Sequence, residues 1–213
     1  VDLSAVLYAS WGRGGGTGAL GSGSNRVRFS DGTDNARSEI DFESIRANNI
    51  ANADANGNGN YGDSYIRRSS VNNHNWYGFL GNLNYDANEN WDLSVGVDAR
   101  MYTGDHFRQV NDLLGLNGWV DNFRNDNRPD DYTFTEEYDA NPWSALFNSA
   151  DEDNRTQYDY SESINYIGAF GQAEYATDQF SAFFQGAVST QSFQRTGRFT
   201  GAERDGGDGI ALD

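Results

Sequence analysis

The stretch that decides the fold reads Trp-Asp-Leu-Ser-Val-Gly-Val-Asp-Ala-Arg-Met-Tyr and occupies residues 91–102. Every odd position in it is apolar, and every even position is polar, glycine or the terminal Tyr102. Successive side chains of a β-strand point to opposite faces. The stretch is therefore predicted to be a strand with one continuously apolar face, while the opposite face carries Asp92, Asp98 and Arg100.

Two long hairpins with this alternation are predicted, preceded by one shorter strand. The strands are placed near residues 3–10, 74–86, 90–103, 163–176 and 179–193, with tight turns at 86–90 and 176–179. Long segments at 11–73 and 103–163 alternate strictly with the two short turns. Short turns on one side of a sheet and long loops on the other are typical of a transmembrane β-barrel of the outer membrane.

The alternation also assigns the two faces of these strands. An arginine facing lipid near the bilayer midplane would cost about 2–4 kcal/mol, so the charged face is predicted to line an aqueous lumen. The predicted lumen-facing residues include Asp98, Arg100, Gln172 and Glu174. Aromatic residues flank both short turns, as expected at a membrane–water interface. These are Tyr85, Trp91, Tyr175 and Phe180.

The composition agrees with strands of this kind. Of the 213 residues, 37% are hydrophobic, and no apolar run approaches the roughly 18 residues that a transmembrane helix needs. A soluble core would be thin at this content, whereas a barrel strand needs apolar side chains on one face only. We therefore predict an all-β fold: a segment of a large antiparallel transmembrane β-barrel with long extracellular loops that contain short helices. The structural alternative is a soluble β-sandwich or a series of hairpins with decorated loops.

The charge balance and the residue types exclude several functions. The chain carries 32 acidic residues against 15 basic ones, all of them arginine, for a net charge of -17. Nucleic acid is a poor partner for such a chain because its binding rests on neutralising phosphates. The absence of cysteine excludes disulfides, thiol catalysis and cysteine-ligated zinc. We expect no enzyme activity, no cofactor, no assigned metal site and no nucleic-acid partner.

Other local patterns complete the prediction. Residues 38–51 read as a helix capped by Ser38, and residues 107–116 have the apolar spacing of a second helix. The glycine-rich residues 12–23 are expected to lack regular structure. Within them, residues 16–21 match the dinucleotide-binding pattern G-x-G-x-x-G, but no helix is predicted to follow, so we interpret them as a flexible loop.

A polar loop at residues 52–63 has the spacing of a calcium-binding loop. The oxygen-bearing residues at its template positions are Asn52, Asp54, Asn56, Asn58 and Asp63. The first of these is Asn rather than Asp, and the last is Asp rather than a bidentate Glu. A solvated Asn/Gly loop is the preferred interpretation, and calcium binding stays open as an alternative.

The long segment 103–163 interleaves aromatic residues with Asn, Asp and Arg. Recognition of a sugar or a siderophore uses this mixture, because rings stack on the ligand while amides and guanidinium groups donate hydrogen bonds. The candidate ligand-binding residues are Trp119, Arg124, Arg128 and Trp143. The alternative is that Trp143 and Phe147 pack the loop onto the rim of the barrel.

A series of short motifs follows one order along the chain. They lie at residues 10–18, 75–85, 95–102, 104–115, 140–148, 150–153 and 168–175, the last continuing along the next strand to Arg198. Two of them read Asn-Trp-Tyr-Gly-Phe-Leu-Gly-Asn-Leu-Asn-Tyr and Gly-Asp-His-Phe-Arg-Gln-Val-Asn-Asp-Leu-Leu-Gly. In this order, and over most of the chain, the motifs resemble TonB-dependent outer-membrane receptors.

The resemblance implies a location, a function and partners. It implies a barrel of roughly 22 strands with an amino-terminal plug domain, in the outer membrane of a Gram-negative bacterium. Such a receptor would import a bulky nutrient, such as a siderophore or an oligosaccharide, energised by the TonB system through the plug. Its expected partners are outer-membrane lipid, the nutrient and, optionally, a surface lipoprotein. The functional alternative is a soluble or surface-anchored β-rich module that binds glycans or calcium.

The chain departs from that pattern in extent. No plug domain and no TonB-contacting segment is visible in the sequence, and both ends read as cut. A wedge of barrel would leave two open edges that hydrocarbon cannot satisfy. We therefore expect the chain to be a piece of a longer protein whose other segments complete the barrel.

Overall fold

The computed structural model describes residues 1–29, 39–121, 123, 129, 131–141 and 143–199. The fold is mostly β. Its strands are β1 (Asp2–Gly12), β2 (Gly15–Gly21), β3 (Asn58–Asn60), β4 (Tyr65–Asn88), β5 (Trp91–Asp112), β6 (Gly118–Val120), β7 (Thr133–Phe134), β8 (Arg155–Ala176) and β9 (Ser181–Gly197). Helix α1 spans Phe42–Asn52, and short 3₁₀ helices lie at Gly23–Asn25, Ser144–Leu146 and Glu152–Asn154. Among the described residues, no helix is long and apolar enough to cross a membrane.

The main sheet is antiparallel throughout, in the order β1-β4-β5-β8-β9. Strand β1 pairs with the part of β4 near the hairpin turn, and β2 pairs with the other half of β4. Together β1 and β2 therefore act as one long edge strand. Strand β9 forms the opposite edge, and the described strands do not close into a ring.

Both predicted hairpins are present, but their strands are longer than predicted. Strand β4 has 24 residues and β5 has 22, and they pair from the β4–β5 turn up to Arg67 and Asp112. Much of the segments expected as the loops 11–73 and 103–163 is therefore strand. The long strands continue because each finds a neighbour that pairs with its backbone well beyond the apolar alternation that identified them.

The prediction of a helix at residues 107–116 is wrong. Residues up to Asp112 belong to β5, and Leu114 and Gly115 then turn the chain with positive φ angles. Helix-like spacing arose because β5 buries apolar side chains on both of its faces here. Phe107 packs into one cluster and Val110 into another.

The helix predicted at residues 38–51 is present as α1, with a different cap. The carboxylate of Asp41 accepts hydrogen bonds from the backbone N–H of Ser44 at 3.0 Å and from its hydroxyl at 2.6 Å. Ser38 lies outside the described residues. The expectation of no regular structure at residues 12–23 is wrong in part, because β2 forms there against β4.

The hydrophobic core lies at the end of the sheet that is remote from the hairpin turns. A small sheet, in which β6 pairs parallel to β3 and antiparallel to β7, lies here together with α1. The largest cluster consists of Leu20, Ile66, Val110, Leu113, Leu116, Trp119 and Phe134. Two smaller clusters contain Val71, Phe107, Tyr138 and Ala150, and Ile45, Tyr65 and Leu114. We call this end of the sheet the covered half, and the end next to the hairpin turns the open half.

Candidate functional site

The open half has one apolar face that runs across all of its strands. Residues paired in an antiparallel sheet lie on the same face, and the register links Leu3 to Leu83 and Leu83 to Val95. The larger side chains that the register places on this face are Leu3, Leu7, Phe79, Leu83, Leu93, Val95, Val97, Met101, Ile167, Phe184 and Val188. We call this surface the apolar band.

Nothing in the described structure covers the apolar band. Leu7 is 82% exposed, Val95 is 53% exposed and Phe184 is 78% exposed. These values are far above those of a protein core, and they recur on the edge and central strands alike. The band therefore presents a continuous apolar surface to whatever surrounds the protein.

The length of the apolar band can be compared with the apolar height of an outer-membrane barrel. On β5 it extends from Trp91 to Met101, which at about 3.3 Å per residue is about 33 Å along the strand. A strand tilted by about 45° would then rise about 23 Å, close to the apolar height of about 25 Å found in outer-membrane barrels.

Aromatic pairs bound the apolar band at both ends. Near the hairpin turns, the rings of Trp91 and Tyr175 lie 5.0 Å apart. At the other end, the rings of Trp11 and Tyr77 lie 6.0 Å apart, and the indole N–H of Trp11 donates to the Tyr77 hydroxyl at 3.3 Å. The second pair was not predicted. Its signal in the sequence is the odd parity that Trp11 shares with Leu3 and Leu7.

The opposite face of the open half carries the predicted lumen-facing residues. Asp98 and Arg100 form a two-point ion pair with distances of 2.6 and 3.0 Å. The register places Gln172 between Ser94 and Gln185, and it places Glu174 opposite Asp92. Some apolar side chains share this face: Leu80, Phe170 and Phe183 are exposed there. We call it the polar face.

Aromatic rings extend the polar face into the covered half. The rings of Trp76 and Tyr102 lie 4.6 Å apart, and the Tyr102 hydroxyl is hydrogen-bonded to Nδ1 of His74 at 2.9 Å. The rings of His74 and His106 are 5.4 Å apart, and His106 stacks on Tyr160 at 4.9 Å. These five residues form a ladder of rings along the strands, which we call the ring column.

His106 lies in the ring column beyond the end of the apolar band, and its side chain is 11% exposed. Burial lowers its pKa, although the nearby carboxylate of Glu162, at 3.8 Å from Nε2, acts in the opposite direction. Its Nδ1 lies 2.6 Å from the side-chain oxygen of Asn72, so this nitrogen donates the hydrogen bond. The hydrogen bond to Asn72 keeps a proton on Nδ1, and the lowered pKa favours the neutral form of the ring.

Arginine side chains accompany the ring column. The guanidinium carbon of Arg195 lies 3.9 Å from the ring centre of Tyr160, and that of Arg108 lies 4.8 Å from the ring centre of Tyr158. Arg68 lies next to Arg108, beyond the column. These residues were not predicted. Arg68, Arg108, Tyr158 and Tyr160 lie in segments that were predicted to be loops, which assigned them to no face of the sheet.

The opposite side of the covered half buries an ionic cluster. The carboxylate of Asp159 accepts hydrogen bonds from Arg155 at 2.8 Å and from Arg198 at 2.6 Å. Burial raises the pKa of Asp159, and both arginines oppose that shift. This cluster joins β8 to the residue that follows β9, so its role is structural.

Of the predicted ligand-binding residues, the structure describes Trp119 and Trp143, and their surroundings differ. Trp119 is 1% exposed and belongs to the largest core cluster, so its ring is closed to an external ligand. Trp143 is 78% exposed and Phe147 is 91% exposed, so neither packs onto the sheet. Arg124 and Arg128 lie outside the described residues.

In the loop at residues 52–63, side-chain oxygens accept hydrogen bonds from backbone N–H groups of the same loop. The Asp54 carboxylate accepts from the backbone N–H groups of Asn56 at 2.7 Å and Asn58 at 2.9 Å. The side-chain oxygen of Asn60 accepts from the backbone N–H groups of Gly62 and Asp63. In the part of the chain that the structure describes, no group of three or more Asp, Glu, His or Cys residues could hold a metal ion.

The chain matches no protein-family model, no curated protein and no solved structure. What it does must therefore be argued from its own surfaces. Two of them bear on function: the exposed apolar band, and the polar face with the ring column that continues it.

Proposed function

We propose that this chain is part of the wall of a TonB-dependent outer-membrane receptor that imports a bulky nutrient, such as a siderophore or an oligosaccharide. The observation that carries the proposal is the apolar band, exposed on every strand of the open half and bounded by aromatic pairs at both ends. A soluble monomer rarely exposes a contiguous apolar patch above a few hundred Å². Lipid chains can contact such a surface without the unfavourable free energy of exposing it to water.

The polar face supports the same assignment. Asp98 and Arg100 lie on the face of the sheet opposite the apolar band. The apolar band can therefore contact hydrocarbon only if the polar face contacts water. A barrel wall provides both environments at once. Nutrient captured by the outer loops would pass along the polar face, and this passage requires no bond to be made or broken by the protein.

The edges of the sheet define what else the receptor must contain. The outer backbone groups of β1 and β9 pair with no described strand. An unpaired backbone group in hydrocarbon costs several kcal/mol, so a transmembrane sheet must close. We propose that further strands of the receptor pair with both edges. The TonB system is part of the proposal through the resemblance of the motifs between residues 10 and 198.

Thiol labelling tests the two faces directly, because the chain contains no cysteine. Val95→Cys and Ser94→Cys are neighbours on opposite faces of β5. We expect a small membrane-impermeant thiol reagent to modify Ser94→Cys in isolated outer membranes. Val95→Cys should react only after denaturation in detergent.

Equal labelling of the two cysteines in native membranes would contradict the proposal, as would recovery of the protein in the soluble fraction without detergent. The import step has its own test. Loss of TonB should abolish nutrient uptake and leave the labelling pattern unchanged. Uptake that persists without TonB would overturn the transport mechanism while leaving the barrel wall in place.

A further inference from the structure

Two arginines converge on one hydroxyl at the far end of the polar face. Arg68 lies on β4, and Arg108 lies on β5 opposite Ser70. The Nη1 atom of Arg68 donates to Oγ of Ser70 at 2.6 Å, and Nε of Arg108 donates to the same oxygen at 3.3 Å. Because this oxygen accepts two hydrogen bonds, its own hydrogen must point away from both guanidinium groups.

No carboxylate balances these two charges among the described residues. Other arginines of this acidic chain do form ion pairs: Arg67 contacts Asp112, and Arg100 contacts Asp98. Arg68 and Arg108 form no ion pair with a described residue. The Nε atom of Arg68 is also buried without a hydrogen-bond acceptor.

The surroundings hold the two guanidinium groups in place. Arg108 donates to the side-chain oxygen of Gln157 at 2.6 Å and lies over the ring of Tyr158. The guanidinium of Arg68 lies against Gly18, where a Cβ atom would come within 2.8 Å of its Cζ. The absence of a side chain at Gly18 leaves space for the Arg68 guanidinium, and the fold thereby holds two like charges side by side.

Fixing like charges together has an energetic cost. Burial and the neighbouring charge of Arg108 lower the pKa of Arg68, which shows that its charged form is less stable here than in water. An anion would remove this cost. Guanidinium groups bind carboxylate and phosphate oxygens through two parallel N–H bonds, with more strength than neutral donors supply.

We propose that Arg68, Arg108 and Ser70 form a binding site for an oxyanion, carboxylate or phosphate, on the polar face. Spare N–H groups of the two guanidinium groups and the Ser70 hydroxyl donate to it. This inference deepens the proposed function and rests on it in one respect: as part of the lumen, the site selects cargo that carries such a group. A neutral oligosaccharide would gain nothing from it.

Calorimetric titration of the full-length receptor in detergent tests the site. The probes are citrate for carboxylates, inorganic phosphate for phosphates and sucrose as a neutral compound. We expect wild-type protein to bind at least one oxyanion and no sucrose, and the affinity to fall as salt is raised. The probe that binds more tightly identifies the carboxylate or the phosphate class.

Arg68→Gln and Arg108→Gln should each weaken oxyanion binding by about tenfold or more, because each removes a charged hydrogen-bond donor. Arg67→Gln is the matched control. It removes the same charge at the adjacent position, on the opposite face, and should bind as wild type does. Circular dichroism of all three variants establishes that they are folded.

The site is overturned if the wild type binds neither oxyanion, or if folded Arg68→Gln and Arg108→Gln bind as tightly as Arg67→Gln. The thiol-labelling experiment distinguishes this failure from that of the proposed function. Correct labelling without oxyanion binding removes the site and keeps the barrel wall. Oxyanion binding by a protein that labels equally on both faces keeps the site and removes the receptor.

Discussion

The two halves of the main sheet use the same strands in opposite ways. On β5, Val95 is 53% exposed in the open half, whereas Phe107 is 0% exposed in the covered half. Both residues lie on odd positions of one continuous strand and so point to the same face. The open half leaves that face for an external partner. The covered half buries it under its own chain, with Tyr138 and Ala150 packed against Phe107.

The two halves owe their stability to different interactions. Burial of apolar side chains against the protein's own residues stabilises the covered half in water, whether or not lipid or detergent is present. The open half has no such layer, so its stability depends on what surrounds the apolar band. The two halves should therefore respond differently to the same substitution, and to a change from detergent to water.

The largest effect is expected from a pair of phenylalanine truncations. Phe107→Ala should lower the free energy of unfolding by about 3–5 kcal/mol, because it leaves a cavity in a closed cluster. Phe184→Ala, in the apolar band, should cost well under half of that in detergent, because surrounding detergent can fill the gap. Denaturant unfolding of the detergent-solubilised protein measures both. Equal losses would mean that the two halves are packed alike.

A charge scan is expected to give the next largest effect. Val95→Arg places a guanidinium near the middle of the apolar band and should cost about 2–4 kcal/mol in a lipid bilayer. Ser94→Arg adds the same charge on the polar face and should cost little. Unfolding of the receptor reconstituted in liposomes measures the difference. If Ser94→Arg proved the more damaging of the two, the assignment of the faces would be reversed.

The faces of the open half were predictable from sequence because they depend on parity alone. Asp98 and Arg100 are two residues apart, so any strand places them together. The apolar rows follow from the same rule once the turns at 86–90 and 176–179 fix the register. The rows within each hairpin require no information from distant parts of the chain, whereas the pairing of β1 with β4 and of β5 with β8 joins distant segments.

The covered half was not predictable in this way, because its apolar residues face two ways and pack against distant segments. Phe107 and Val110 lie on opposite faces, so their spacing imitates a helix. Trp119 was predicted to bind a ligand from its sequence neighbours alone, but in the fold it is packed in a cluster with Leu20 and Phe134. Ser70 and Arg108 belong to the β4–β5 hairpin but lie beyond its apolar alternation, so the pattern that identified the strands did not extend to them.

The smallest effect concerns pH and the helix that lies in the covered half. Hydrogen bonds from the Ser44 hydroxyl and backbone hold the pKa of Asp41 below its usual value. A carboxyl group with a lowered pKa stabilises the folded state above the pKa of the unfolded chain, and this contribution is lost as pH falls through the folded-state pKa. Helix α1 should therefore loosen in acid below about pH 4, while the apolar band, which contains no such group, is unaffected.

Amide hydrogen exchange at residues of α1, corrected for the intrinsic pH dependence of exchange, measures this loosening. Asp41→Asn is the sharpest comparison, because the amide oxygen still accepts from Ser44 but does not titrate in this range. We expect the variant to lose the acid-dependent increase in α1 exchange that the wild type has. If exchange in α1 increased in acid as much in the variant as in the wild type, a group other than Asp41 would control the loosening of the helix. Increased exchange in the open half at the same pH would mean that the two halves unfold together, and the contrast between them would then disappear.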